Sequence, residues 1–209
     1  MKFLKDYFYV CDPKKGGASL QADIEQILLK PDAISSRVDE LADEIMADFP
    51  PVEPNADSLM IVPVLTGSLI FVADLVRRMP HMVRIEVVTV TSYPGTATES
   101  RGAKIVGELP ADLTDRHVLI VDDIFDTGRT IEHLKEQLST LNPASIKTCV
   151  LLRKPDRVVV EDKPDYVGFD IPDEFVVGYG LDFDGHYRNL PFIGTLHPDA
   201  ISSGRGDSE

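Results

Sequence analysis

In the stretch VLIVDDIFDTGRT, residues 118–130, an apolar run is followed by acidic residues, hydroxyl-bearing residues and a glycine. Like charges repel one another at this spacing, so folding alone gives no reason to gather Asp122, Asp123 and Asp126 there. In an open α/β sheet, ligands bind beyond the carboxyl ends of the strands, and a strand through residue 123 would end among these acids. The stretch is therefore the first candidate for a binding site.

The residues from Asp126 to Thr130 have the features of a phosphate site. If they form the turn into a following helix, their backbone N–H groups and the positive end of that helix attract an anion. The hydroxyls of Thr127 and Thr130 would be additional donors, and Gly128 would let the backbone come close to the ligand.

The paired acids Asp122 and Asp123 need a different partner, because they would repel a phosphate. Ionised carboxylates only accept hydrogen bonds, and the vicinal hydroxyls of a ribose donate them. Together with the phosphate turn, the pair predicts a site for a ribose 5-phosphate group. Two other interpretations fit these residues: Asp126 as a helix cap beside a solvated strand end, and a phosphoacceptor receiver domain. A receiver domain would be shorter, and it would not explain the Thr/Gly/Thr pattern after the acids.

Composition narrows the class of protein and of partner. The 209 residues are 43% hydrophobic and carry a net charge of −14, which fits one globular domain and argues against broad nucleic-acid binding. Cys11 and Cys149 do not make a disulfide framework and fit a reducing compartment. No secretory signal is visible, and the apolar stretch at 61–76 is too short and interrupted to span a membrane. We expect a cytoplasmic protein that binds neither membrane nor nucleic acid.

Apolar periodicity predicts an α/β architecture. Helices are predicted at residues 34–49, 68–79 and 130–141, and strands at 59–65, 83–93, 117–123, 145–154, 165–171 and 175–182. Strand and helix alternate from about residue 59 to 154, which predicts βαβ units, a parallel sheet and right-handed crossovers. Residues 94–104 show no periodicity and should form a mobile loop. Leu20, Ile24, Ile27 and Leu28 have helical spacing, but prolines and glycines interrupt their surroundings, and the first thirty residues stay unassigned.

Several motifs resemble one enzyme family. VLIVDDIFDTGRT is similar to the phosphoribosyl-pyrophosphate (PRPP) binding motif of type I phosphoribosyltransferases. The stretches LLRKP at 151–155, PDYVGFDIPDEF at 164–175 and FVVGYGLDFDGHYRNLPFIG at 175–194 resemble hypoxanthine-guanine phosphoribosyltransferases. The resemblance implies a central, mainly parallel β-sheet flanked by helices, with a small hood lobe and a flexible active-site loop. It also implies one domain over residues 1–200, whose hood comes from the N-terminal residues and the C-terminal segment, and a disordered tail at 201–209.

The same resemblance assigns roles to residues around the phosphate turn. Asp122 and Asp123 would hold the ribose hydroxyls, and Asp126 would be the general base beside the purine imidazole. The 5-phosphate would be bound by Thr127, Gly128, Arg129 and Thr130.

The purine would be bound further along the chain, by Lys154, Phe175, Val176 and Asp182. In this assignment Lys154 donates to the 6-oxo group, Phe175 stacks on the base and Val176 contacts it through its backbone. A cationic donor at that position favours an oxopurine, because adenine would present its own N–H groups to the ammonium.

The pyrophosphate and its metal ion would lie on the other side of the ribose. The resemblance gives the pyrophosphate to Thr66, Gly67, Arg188 and, with a weaker match, Arg157. It gives Mg²⁺ to Asp182, Asp122 and Asp123, and it places Ser92 and Tyr93 at the start of the loop that closes over the reacting centre.

Two positions depart from the family pattern. Thr66 stands where relatives usually carry Lys or Arg, so one cationic side chain is missing from the pyrophosphate loop. Weaker pyrophosphate affinity or altered subunit contacts are expected. Asp122 stands where relatives often carry Glu, which shortens the reach of that carboxylate slightly.

The resemblance implies transfer of a phosphoribosyl group from Mg-PRPP to hypoxanthine or guanine, with release of pyrophosphate, by a homodimer or homotetramer. A xanthine- or adenine-preferring enzyme is one alternative, and Lys154 disfavours adenine. An RNA-binding regulator of the same fold is another, although it would need a basic face that a net charge of −14 does not suggest.

Overall fold

A computed structural model of the chain describes residues 20–49, 59–91, 104–106 and 113–202. Its helices are α1 (Pro31–Asp48), α2 (Leu69–Val76), α3 (Arg129–Ser139) and α4 (Pro198–Ser202). Its strands are β1 (Ile24–Leu29), β2 (Leu59–Leu65), β3 (Arg84–Ile85), β4 (Val88–Thr91), β5 (Lys104–Val106), β6 (His117–Phe125), β7 (Ser145–Arg153), β8 (Tyr166–Asp170), β9 (Val176–Val177) and β10 (Ile193–Leu196).

The central sheet has the strand order β5-β4-β2-β6-β7-β8, and β3 also pairs with β2. Its pairs are parallel except β4 with β5, which is antiparallel. The predicted mainly parallel α/β sheet is confirmed. Because the sheet is parallel, the carboxyl ends of β2 and β6 meet at the same edge.

Alternating side chains of the central strands pack on opposite faces of this sheet. Ile61, Leu119 and Leu151 face the helices α1 and α2 in the larger core cluster. Val62, Ile120 and Val150 face α3 in the second cluster. Helices on both faces explain why β2 and β6 read as continuous apolar runs rather than as alternating ones.

A second, antiparallel sheet joins the two ends of the described chain in the order β1-β10-β9. Ile24 is paired with Leu196, and Ile27 with Gly194. The helical spacing that includes Ile24 and Ile27 is therefore not realised, because pairing with a strand some 170 residues further along decides the local structure. A side chain at position 194 would meet the carbonyl oxygen of Gln26 at 2.5 Å, so this pairing requires glycine there.

Several element boundaries differ from the predicted ones. The region 83–93 is two short strands in its described part, and of 175–182 only Val176–Val177 is paired as a strand. Lys104, expected to be in a loop, begins β5. Ser92, Tyr93 and residues 94–103 lie outside the described residues, as do 203–209 of the expected tail, whereas α4 extends to Ser202. None of the described helices has both the length and the apolar character needed to cross a membrane.

Candidate active site

A cavity of about 740 Å³ opens where β2 and β6 end. It is lined by ten of the residues predicted for the site: Thr66, Gly67, Asp122, Asp123, Asp126, Thr127, Gly128, Thr130, Asp182 and Arg188. Three segments that are distant in sequence therefore meet at one edge of the sheet. The remaining wall is apolar and comes from Val64, Leu65, Ile124, Phe125 and Ile131, which the motifs did not single out.

The acids Asp122 and Asp123 lie inside β6, which continues two residues further than predicted, to Phe125. The backbone N–H of Asp123 donates to Oδ1 of Asp122 at 2.9 Å, and the N–H of Ile124 donates to Oδ1 of Asp123 at 3.1 Å. Burial raises the pKa of Asp122 well above its usual range, and the neighbouring charge of Asp123 adds to this. Burial also raises the pKa of Asp123, although Arg188 opposes the shift. The pair is thus held with its charge poorly solvated, as expected of groups placed for a ligand.

The turn after β6 leads directly into α3 and has the geometry of an anion site. Gly128 is the N-cap of α3, with φ of 86°. A Cβ atom there would lie 2.3 Å from Cγ2 of Val160 and 2.6 Å from Cζ of Phe125, so both the conformation and the space require glycine. Because the cap residue is Gly128, Asp126 is not the helix cap that one interpretation of the sequence suggested. Thr127 and Thr130 line the cavity, and Arg129 begins the helix.

The carboxylate of Asp126 lies beside the guanidinium of Arg157. Its Oδ1 is 2.6 Å from Nε of Arg157, yet among the described residues it accepts no hydrogen bond of good geometry although it is buried. Arg157 also approaches Asp173 at 3.4 Å, and Nζ of Lys154 donates to the same Asp173 oxygen at 3.3 Å. Asp173 therefore connects the two cationic side chains. It lies within the motif at 164–175, which gave it no role.

Of the residues expected to bind the purine, Asp182 lines the cavity, whereas Lys154, Phe175 and Val176 are not part of its lining. Lys154 is buried apart from about a tenth of its side chain, and its backbone N–H donates to the carbonyl oxygen of Phe125 in the cavity wall. Phe175 is half exposed and meets the ring of Phe183 edge to face, with ring centroids 5.7 Å apart. Val176 is buried in β9. Phe183 lies within the motif at 175–194, which likewise gave it no role.

The loop between β2 and α2 forms the wall opposite the phosphate turn. The peptide bond between Leu65 and Thr66 is cis. Gly67 lies against the acid pair, because a Cβ atom on it would be 1.7 Å from Oδ2 of Asp123. The hydroxyl of Ser68 donates to the carbonyl oxygen of Val64 at 2.6 Å and so fixes the start of the helix.

Asp182 and Arg188 form an ion pair in the lining of the cavity. Oδ1 of Asp182 is 2.8 Å from Nη2 of Arg188, and Oδ2 accepts the backbone N–H of Gly185 at 2.7 Å. Nη1 of Arg188 donates to the carbonyl oxygen of Gly180 at 2.7 Å. One guanidinium thus holds both the acid and the turn that carries it.

These carboxylates suit one particular mode of magnesium binding. The described residues contain no group of three or more His, Cys, Asp or Glu side chains placed to enclose a metal. Mg²⁺ usually keeps several waters and is bound by one or two carboxylates together with substrate phosphates. A buried, self-repelling acid pair and Asp182 in the lining of the same cavity fit that mode.

Comparison with known proteins identifies the family. Residues 25–184 match the family model described as a phosphoribosyl transferase domain. The hypoxanthine-guanine phosphoribosyltransferase of Mycobacterium tuberculosis is 42% identical over 177 residues, which cover 84% of this chain and 88% of the relative. The chain belongs to the hypoxanthine-guanine phosphoribosyltransferase family. The family assignment makes it a transferase and confirms the resemblance drawn from the motifs.

Further members of the hypoxanthine-guanine phosphoribosyltransferase family support the assignment. The hypoxanthine phosphoribosyltransferase of Haemophilus influenzae is 42% identical over 170 residues, covering 81% of this chain and 94% of the relative. A crystal structure of the Staphylococcus aureus hypoxanthine phosphoribosyltransferase superimposes with a TM-score of 0.79 at 37% identity, covering 88% of this chain and 97% of that one. The predicted type I phosphoribosyltransferase fold is confirmed, and neither the receiver domain nor the RNA-binding regulator is favoured.

Proposed function

We propose that the protein is a purine salvage enzyme that transfers the 5-phosphoribosyl group of PRPP to N9 of hypoxanthine or guanine. The products are IMP or GMP and pyrophosphate. The observation that carries this proposal is the single cavity in which the acid pair, the phosphate turn and the Asp182–Arg188 pair all meet. A substrate with a phosphate at one end, a diol in the middle and a pyrophosphate at the other end matches these three groups in kind.

The 5-phosphate is assigned to the turn from Thr127 to Thr130. Its donors would be the backbone N–H groups at the start of α3 and the two threonine hydroxyls, and the positive end of the helix favours the charge. The ribose hydroxyls are assigned to Asp122 and Asp123. The pKa values of both acids are raised by burial, so hydrogen bonds from a diol would offset part of the cost of keeping them ionised.

Asp126 is the proposed general base, which would take a proton from the purine imidazole as N9 attacks the anomeric carbon. Support comes from its place in the cavity lining and from its buried oxygen, which forms an ion pair with Arg157 but accepts no hydrogen bond of good geometry from the described residues. Such a base contributes typically about 10²–10⁴-fold in rate. Arg157, expected at the pyrophosphate, is instead proposed to orient this carboxylate, because the two groups are 2.6 Å apart.

The purine is assigned to Lys154, Phe175, Val176 and Asp182. Lys154 is buried, and among the described residues its ammonium group donates one hydrogen bond, to Asp173, so it retains donors for a 6-oxo group. Phe175 is about half exposed, which leaves a ring face for stacking.

The pyrophosphate is assigned to the Thr66–Gly67 loop and to Arg188. The transition state would be oxocarbenium-like, so negative charge grows on the leaving pyrophosphate where the guanidinium and the loop amides lie. Magnesium, held by Asp182 and by Asp122 or Asp123 together with substrate oxygens, would neutralise part of that charge. The lid role of Ser92 and Tyr93 stays a prediction.

We also expect a homodimer or homotetramer. Met82, Ile85 and Val87 are large apolar residues of one segment, and each is about half exposed in the single chain. Exposed apolar clusters mark association surfaces. Light scattering of the purified protein at several concentrations tests this, and a monomer throughout would contradict it.

The function is tested by a panel assay with PRPP and Mg²⁺ against hypoxanthine, guanine, xanthine and adenine, following pyrophosphate release. We expect turnover with hypoxanthine or guanine and little with adenine; preference for xanthine would move the assignment to that base. The variant Asp126→Asn should fold normally and lose at least about tenfold in kcat, within the range of a general base. Asp199→Asn, in the exposed part of α4, is the matched control. Absence of turnover with every 6-oxopurine would refute the proposed function.

A further inference from the structure

The turn that carries Asp182 has an unusual backbone. Gly178, Tyr179 and Gly180 all have left-handed conformations, with φ of 98°, 49° and 105°. Two of them are glycines, for which this conformation is inexpensive, but Tyr179 pays a steric cost. A bulky residue held in the left-handed region of φ/ψ space indicates that its side chain has a structural or functional role in that position.

The side chain of Tyr179 is tied to helix α2. The residue is buried, with 8% of its surface exposed, and its ring packs in the larger core cluster. Its hydroxyl donates to Oδ2 of Asp74 at 2.7 Å, and the two residues are 105 positions apart in sequence. Arg77 pairs with the other oxygen of Asp74, so the acceptor is itself held in place.

Helix α2 begins at the loop that the proposed function gives to the pyrophosphate. The turn meets this loop directly, because a Cβ atom on Gly180 would be 2.2 Å from the carbonyl oxygen of Gly67. Gly67 in turn lies against Asp123 on the other side of the cavity. The carbonyl oxygen of Gly180 accepts Nη1 of Arg188, and the N–H of Gly180 donates to the carbonyl oxygen of Arg188 at 2.9 Å. The position of the turn therefore sets the spacing between Arg188 and the loop.

We propose that the hydrogen bond between Tyr179 and Asp74 is a latch that fixes the turn 178–182 on helix α2, and that both are positioning residues for the pyrophosphate end of PRPP. This inference rests on the proposed function. The latched turn carries Asp182, which the proposed function also gives to the purine, but it includes neither Lys154 nor Phe175, and it carries the carbonyl oxygen that holds Arg188. Loss of the latch should therefore weaken PRPP binding more than purine binding.

The chain supplies a matched control in Tyr166. It is also buried, and its hydroxyl donates to Asp48 at 2.6 Å, across 118 positions of sequence. Tyr166 is the first residue of β8, so it lies at the end of the sheet away from the cavity. A change of Tyr to Phe at either position removes one hydroxyl from a partly buried hydrogen bond to a carboxylate, and at position 166 it also removes an acceptor for Nζ of Lys147 at 3.2 Å. General destabilisation should thus be similar for both variants, and only the latch variant should affect the site.

The experiment compares Tyr179→Phe, Tyr166→Phe and the unaltered protein. For Tyr179→Phe we expect the KM for PRPP to rise about three- to tenfold, the size of effect seen for residues that act through a neighbour. The KM for hypoxanthine should change less than about twofold, and Tyr166→Phe should leave both constants close to those of the unaltered protein. Asp74→Asn keeps an acceptor for the phenol and should retain a KM for PRPP closer to the unaltered value than Asp74→Ala does.

A second readout does not depend on turnover. Hydrogen exchange of the Gly180 amide should become faster in Tyr179→Phe and stay unchanged in Tyr166→Phe, because that amide bonds within the latched turn. If both tyrosine variants alter the KM for PRPP and the exchange equally, or neither alters them, the latch is overturned. If the unaltered protein turns over no 6-oxopurine, the proposed function fails, and exchange at Gly180 alone decides whether the latch holds the turn.

Discussion

Substitution of Gly67 by Ala tests whether the acid pair binds substrate, because the substitution should displace a carboxylate of the pair without disturbing the fold. The added Cβ would lie 1.7 Å from Oδ2 and 2.5 Å from Cγ of Asp123. The backbone of Gly67 is not left-handed, so alanine brings no conformational strain. The carboxylate is the movable end of a side chain, and we expect it to rotate away while the fold persists.

The magnitude follows from the hydrogen bonds that the displaced carboxylate loses. In the free protein it gives up the N–H of Ile124, at 3.1 Å, which costs about 1 kcal/mol and is partly offset because the charge becomes better solvated. In the complex it also loses a hydrogen bond from a ribose hydroxyl. A bond to a charged acceptor contributes about 1.5–3 kcal/mol, which corresponds to a fall of about 10- to 150-fold in kcat/KM for PRPP.

The assay measures kcat/KM for PRPP at saturating hypoxanthine, together with the melting temperature. Gly168→Ala is the control, because its Cβ would meet the backbone carbonyl oxygen of Leu151 at 2.4 Å, and a backbone cannot rotate away. We expect Gly67→Ala to lose activity and keep its stability, and Gly168→Ala to lose stability and keep its activity per folded molecule. Unchanged kcat/KM in Gly67→Ala would refute the assignment of Asp123 to the ribose.

Three further predictions concern single side chains of the site. Thr66→Lys introduces, at an exposed position of the loop, the cation that relatives usually carry there. Binding of inorganic pyrophosphate with Mg²⁺, measured by calorimetry, should tighten roughly two- to fivefold, and equal or weaker affinity would contradict this. Lys154→Met keeps the length of the side chain but not its hydrogen-bond donor, so the preference for hypoxanthine over adenine should fall at least about tenfold in competition assays. The control Lys135→Met removes an ion pair with Asp162 outside the site and should leave the preference unchanged. Asp122 has a raised pKa, so the folded protein binds its proton more tightly than the unfolded chain, and stability falls as pH rises from about 4 through that raised value. Asp122→Asn should accordingly raise the melting temperature at pH 7 and have much less effect near pH 4, and an equal change at both values would show that burial of the charge is not the cause.

Local chemistry predicted much of this site because its signals lie within short segments. The run at 59–65 is apolar because β2 is covered on both faces, and the strand has the predicted bounds. The turn after β6 needs a glycine for its left-handed conformation and supplies hydroxyls within four residues. A single short stretch of sequence is therefore enough to predict this turn. The expected assembly of Thr66, Asp182 and Arg188 in one cavity followed from the family resemblance rather than from spacing.

The contacts that sequence reasoning missed are those between distant segments. Ile24 and Ile27 have helical spacing, but β10 offers paired backbone groups, and that pairing determines a strand. Asp173 holds Lys154, and Asp74 holds Tyr179, only because the fold brings separate elements together. Neither acid stands out in composition or periodicity. Such partners become visible only when the hydrogen bonds of the folded chain are known.

The acid pair explains why a functional site can be detected as an inconsistency in the sequence. Two adjacent carboxylates in the interior of a strand repel each other and lose their hydration, which opposes folding at neutral pH. The strand tolerates them because its earlier residues, from Val118 to Val121, are fully buried and supply the packing energy. The packing of the strand therefore offsets the destabilisation that the acids cause, but folding does not need the acids. Where local residues oppose the structure that their neighbours stabilise, we expect the reason for their presence to lie in what the cavity binds.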